Sequence, residues 1–215
     1  MAIPRRQRIA LVVVTAVVLL GGVFALGRIT AGPTANPPST DSAAAGFLRD
    51  MQVHHAQAVE MALLVRDRTD DAAVRQLAYD IAVGQATQSG TMYGLLEAWD
   101  LPQASREPAM TWTLLPALDG SDDGHQMDAS APGGMPGLAT DEQIAELTAA
   151  SGDDAVRLFL TLMIAHHQGG VEMADAVLAR TDVPQVVSLA TGIQRSQRAE
   201  ITAMQNLLAG LPPTG

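Results

Sequence analysis

A chain of 215 residues, 47% of them hydrophobic, is long enough for one buried core or for two small repeats that share one. It has no cysteine, which excludes disulfides, thiolate metal sites and a lipid-modified cysteine. Its basic residues are all arginine; Arg5, Arg6, Arg8 and Arg28 flank an apolar N-terminal run, so from residue 29 onward nine arginines face 23 acids and the surface repels nucleic acid.

Residues 9–26 (IALVVVTAVVLLGGVFAL) carry no charge. As a helix rising ~1.5 Å per residue the run would span roughly 27 Å, close to the hydrocarbon thickness of a bilayer. The arginines before it belong on the cytoplasmic side, so the rest of the chain is expected to be exported. Segment 1–30 therefore reads as a single-pass anchor in the cell membrane with an extracytoplasmic C-terminal domain. The alternative is a signal segment whose cleavage leaves a secreted protein. Residues 31–44, rich in Pro, Ala, Ser and Thr, read as a tether.

Beyond the tether the chain repeats itself: 47–102 aligns with 159–212 almost without gaps. Phe47-Leu48 matches Phe159-Leu160, Thr69-Asp70 matches Thr181-Asp182, and Met92 matches Met204. Each copy predicts a helical hairpin, with domains at 45–102 and 140–212. The first pair of helices is expected at about 41–68 and 71–99, with Thr69 or Asp70 capping the second. In the other copy the first helix is expected over about 153–180, Thr181 or Asp182 caps the next, and Pro184 falls in its first turn. Between the hairpins, residues 103–139 form a connecting loop of Pro, Gly, Asp and Ser that includes Trp112, His125, Met127 and Met135. Thr140-Asp-Glu-Gln143 is a capping box for a short helix. The expected fold is all-α, a four-helix bundle in which neither hairpin buries its apolar face alone.

The chemistry concentrates in one phrase written twice. Met51-Gln-Val-His54-His55 recurs as Met163-Ile-Ala-His166-His167, and each copy runs on to Glu-Met, Glu60-Met61 and Glu172-Met173. On a helix advancing ~100° per residue, Met51, His54, His55 and Met61 fall on one stripe roughly 120° wide. Met163, His166, His167 and Met173 do the same. Phe47 and Val65 share the first stripe, so it is expected to face the interior. On the second helix of each hairpin, Gln85, Gln88 and Met92 form one face, repeated by Gln197, Glu200 and Met204. Imidazole and thioether together select soft or borderline ions, and thioether suits copper(I) far better than Mg, Ca or Mn. Against this stands the plain alternative that buried Met and His are packing residues, which a duplication copies as faithfully as a ligand set. A second tier of metal candidates comprises Met92, Met204, Glu200, Glu60, Glu172, His125, Met127 and Met135. Glu60 and Glu172 lie off the stripe, where a solvated or paired side chain is the ordinary expectation.

These residues resemble the bacterial family catalogued as domain of unknown function 305. Its phrase is Phe-Leu, a Met, then His-His-x-x-x-x-Glu-Met-Ala, followed by Gln-x-x-Glu and a Met. The second copy here matches well through Phe159-Leu160, Met163, His166-His167-Gln168-Gly169, Glu172-Met173-Ala174, Gln197, Glu200 and Met204. The first copy departs at Ala56-Gln57 and at Gln88. Met135-Pro136-Gly137 also looks like the family. The resemblance implies a ferritin-like four-helix bundle in an exported protein, with some members tied to copper binding and tolerance.

The function expected is therefore copper(I) buffering, tolerance or transfer by a membrane-anchored binding protein that is not an enzyme, with copper as cofactor and a copper donor or acceptor protein as partner. A partner-binding helical module without metal is the alternative. A ferritin-like di-metal oxidase is a third reading, weakened because such sites need Glu-x-x-His pairs, which the chain lacks.

Overall fold

The computed structural model describes residues 37–121 and 132–212. Among these there is no strand, and residues 38–212 belong to one compact unit. Four long helices and one short one make up the fold: α1 (Ala43–Arg66), α2 (Ala72–Ala98), α3 (Asp141–Ala149), α4 (Gly152–Leu178) and α5 (Pro184–Ala209). Single 3-10 turns occupy Thr111–Leu114 and Pro132–Gly134.

Local chemistry sets most of the boundaries. The Ser42 hydroxyl accepts from the free Ala45 N–H at 3.2 Å and starts α1. Thr140 and Gln143 form the reciprocal capping box expected for α3. The caps of the two hairpin turns differ from expectation. Asp71, not Thr69 or Asp70, caps α2, its carboxylate accepting from Ala73 and Val74 N–H at 2.9 Å each. Val183 precedes α5 and offers no side-chain cap. Thr69 and Thr181 each act one step earlier, accepting from the N–H of Asp71 and of Val183 and so shaping the turn instead of closing the helix. Pro184 sits in the first turn of α5, where its missing N–H costs nothing.

The hairpins α1–α2 and α4–α5 join through α1 and α4, which run antiparallel. At one end the Gly152 N–H donates to the Arg68 carbonyl at 2.8 Å; at the other the Leu118 N–H donates to the Ala179 carbonyl at 2.8 Å. Two buried clusters result, and each mixes the repeats. One holds Phe47, Met51 and Met92 with Met173 and Val177; the other holds Met61 and Val65 with Phe159, Met163 and Met204. Every one of these side chains is sealed from solvent, so removing either hairpin would strip both clusters.

The segment between the hairpins is more than a connection. Trp112 packs edge-on against Phe47 with ring centroids 5.9 Å apart. Its indole N–H and the Met110 N–H both donate to one oxygen of buried Asp50, at 2.8 and 2.7 Å. Gly46 makes room, since a Cβ there would lie 2.5 Å from the indole. Burial pushes the Asp50 carboxyl up from its ordinary range, and the two donors oppose that rise.

No helix among the described residues is long and apolar enough to cross a membrane. The 9–26 run lies outside the described residues, as do His125 and Met127 of the loop.

Candidate metal centre

The stripe read from the helical repeat faces inward. Met51, His54, His55 and Met61 on α1 are all 0% exposed, and so are Met163, His166, His167 and Met173 on α4. The antiparallel crossing brings His54 and His166 face to face, with ring centroids 3.8 Å apart and planes tilted by 35°. His55 and His167 lie outside this central pair, 6.5 and 6.3 Å from their neighbours. The buried methionines fall into two groups. Met51, Met92 and Met173 share a cluster with Met110 and Met135; Met61, Met163 and Met204 share the other.

Each imidazole is held by one nitrogen. His54 Nε2 donates to the Pro136 carbonyl at 3.1 Å, and His166 Nε2 donates to the backbone carbonyl of His54 at 3.0 Å. His167 Nε2 donates to the Glu200 carboxylate at 2.7 Å, and His55 Nε2 meets the Gln88 amide oxygen at 2.7 Å. An oxygen acceptor requires the proton on Nε2, which leaves a lone pair on Nδ1. All four Nδ1 atoms are buried and have no partner within the protein. The amide groups of Gln85 and Gln197, 3% and 1% exposed, are likewise unpartnered at both nitrogen and oxygen.

Burial also keeps three of the rings neutral. It lowers His54 to about 3, aided by the neighbouring His55, and lowers His55 to about 4. His166 is driven well below its ordinary value, by burial first and by the other three histidines after it. At neutral pH the Nδ1 lone pairs of these three rings are therefore available without loss of a proton.

A strap of backbone from the connecting loop closes over this cluster. Pro136 supplies the carbonyl that orients His54, and the strap lies directly on α4. A Cβ at Gly169 would overlap the Pro136 carbonyl, and one at Gly137, whose φ is +77°, would overlap the Ala165 carbonyl. Gly170 clears the Gln197 amide in the same way. The strap's exit is held by Gln57, whose amide donates to the Ala139 carbonyl at 2.9 Å and accepts from its N–H at 2.7 Å. Gly169 entered the sequence reading as part of the family phrase. The sequence placed Gln85, Gln88 and Gln197 on the opposing faces without naming them as ligands, and it did not count Pro136 or Gln57 as members of the site.

Of the second tier, Met92, Met204 and Met135 are buried in the methionine clusters, and Glu200 joins through His167. Glu60 and Glu172 are exposed and do not enter the core. Among the described residues no three His, Cys, Asp or Glu side chains converge as a metal-binding group. An ion held here would have to complete its shell with thioether sulfur. That donor set fits a soft ion and not a hard one.

The profile of the family described as Domain of unknown function (DUF305) matches residues 44–208. The chain belongs to this family. Among solved structures, a DUF305 protein from Streptomyces coelicolor, a presumed secreted protein, is 47% identical with a TM-score of 0.69, covering 80% of this chain and 94% of that one. A DUF305 fragment from Deinococcus radiodurans is 31% identical with a TM-score of 0.63, covering 81% and 99%. CopM in its Cu(II)-bound form is 27% identical with a TM-score of 0.55, covering 78% and 96%. No functionally curated protein matches the chain. The expectation of a single-pass membrane protein is corrected by two findings: no described helix is able to span a bilayer, and the Streptomyces DUF305 protein is a presumed secreted one.

Proposed function

We infer that this DUF305 domain is a secreted binding protein for copper(I), which it buffers or passes on through the histidines and methionines at the α1–α4 crossing. It works as a binding protein with a donor or acceptor partner, and not as an enzyme. The supporting observation is the set of orphaned atoms in the core. Four imidazole Nδ1 atoms and both polar atoms of two glutamine amides have no partner. An atom of this kind that stays without a partner costs roughly 1 kcal/mol or more. Water would satisfy the amides and imidazoles, but it gains little from eight buried thioethers. A soft cation uses both donor types. The likeness to CopM, solved with Cu(II) bound, supports copper in particular.

The test uses Met→Leu changes, which keep volume and apolar character while removing sulfur. Met51→Leu with Met163→Leu is expected to weaken copper(I) binding by tenfold or more in competition with a colorimetric copper(I) chelator. Stability of the metal-free protein should change by less than about 1.5 kcal/mol. Unchanged copper(I) affinity would overturn the reading. Copper(I) at 100 times its dissociation constant should also raise wild-type stability by about 2.7 kcal/mol, because the ligand binds only the native state.

A further inference from the structure

The two halves of the centre are built on the same plan but are backed by different chemistry. His167 donates to a carboxylate, Glu200, at 2.7 Å, whereas the equivalent His55 meets a neutral amide, Gln88, at the same distance. We propose that this difference makes the two halves unequal: the Glu200-backed half binds a soft cation more tightly and is filled first, and Gln88 sets the other half as the weaker, exchangeable one. The inference rests on the copper(I) reading above.

Two physical effects point the same way. The first is electrostatic. Both imidazoles are fully buried, so a cation bound beside either one is desolvated and needs compensating charge. Glu200 places a negative charge one imidazole away from the ion, and it pushes electron density toward Nδ1, raising the ring's basicity as a ligand. Gln88 supplies neither. The second effect is preorganisation. A carboxylate only accepts, so the neutral His167 ring is locked with its proton on Nε2 and its lone pair on Nδ1. An amide accepts through oxygen or, after rotating by a half-turn, donates through nitrogen. His55 is therefore free to exist with its proton on Nδ1, a form that does not ligate there, and binding must reverse it. His54 and His166 do not contribute to the inequality, because both donate to backbone carbonyls, which leave no alternative tautomer. Glu200 and Gln88 are thus positioning residues for the two outer imidazoles.

The proposal predicts two classes of copper(I) binding in the full-length wild-type protein, resolved by chelator competition. Glu200→Gln should weaken the tighter class by about 10- to 100-fold. Gln88→Glu should strengthen the weaker class by a similar factor and merge the two. In the metal-free protein, ¹⁵N imidazole spectra should show His167 as a single Nε2-protonated tautomer and His55 as a mixture. Glu200→Gln should turn His167 into a mixture, and Gln88→Glu should lock His55. A merely structural role for either residue would leave the tautomers in place. The proposal is overturned if the two swaps shift affinity in the same direction, if neither shifts it, or if His55 and His167 show the same tautomer distribution in the wild type. Absence of any copper(I) binding by the wild-type protein would instead sink the functional reading itself.

Discussion

Lowering the pH from 7 to 5 should destabilise the metal-free protein through its buried histidines. His54 and His55 are held at about 3 and about 4 by burial, whereas an unfolded histidine titrates near 6.5. Below 6.5 the unfolded chain therefore binds protons that the folded protein refuses. Stability falls as pH drops through 6.5 and goes on falling until the folded values are reached. A pH of 5 lies about 1.5 units below the unfolded value and still above both folded ones. At about 1.4 kcal/mol per unit this amounts to about 2 kcal/mol per ring, or about 4 kcal/mol for the pair. His166 is shifted in the same direction and adds to the loss. Asp50 works in the opposite sense, because its raised value favours the protonated folded form as pH falls. Urea unfolding of the metal-free wild type and of His54→Leu/His55→Leu, each at pH 7 and pH 5, separates these effects. The variant keeps Asp50 and lacks two titrating rings, so its stability should fall by about 4 kcal/mol less than the wild type's between the two pH values. An equal fall in both proteins would show that the rings are not neutral and desolvated in the native core, and the arrangement described above would be wrong.

Gly169→Ala should lift the strap from α4 and cost about 1–3 kcal/mol, read as a lower urea midpoint, because the new methyl overlaps the Pro136 carbonyl. Gly84→Ala meets nothing within 4 Å in the middle of α2 and should stabilise by about 0.5–1 kcal/mol in the same assay. Asp50→Ala leaves the Met110 N–H and the Trp112 indole N–H without an acceptor and should cost roughly 2–5 kcal/mol, with a red-shifted tryptophan emission as the indole gains access to water.

Periodicity carried the inward stripe. Met51, His54, His55 and Met61 recur at helical spacing among apolar neighbours, and a side chain's face follows directly from its position on a helix. The opposing faces of α2 and α5 were legible for the same reason. The pairing of His167 with Glu200 was not, because spacing gives a face but not the register of one helix against another. The caps were misplaced because Thr-Asp-Asp and Thr-Asp-Val each present neighbouring oxygens that compete for the same turn, and backbone dihedrals decide between them. The strap was least legible. Its contribution to the centre is a carbonyl, a group that every residue carries, so Pro136 has no signature of that role. Gly169 advertised a close approach only because a missing side chain is itself a signal. The apolar run at 9–26 met every criterion of length and hydropathy for a span, and hydropathy alone does not separate an anchor from a signal segment.

Gln57 and Gly169 occupy equivalent positions in the two copies, yet one grips the strap's exit at Ala139 and the other yields its side chain so that Pro136 can sit on α4. The repeats have thereby become complementary halves, like the two unlike subunits of a heterodimer carried on one chain. A protein assembled from two second copies would have two glycine seats, a single strap to fill them and no glutamine to anchor it. One assembled from two first copies would have the glutamines and nowhere for the strap to lie. The ancestral symmetry survives in the histidines and methionines, but it is no longer available to evolution or to a designer as a modular unit.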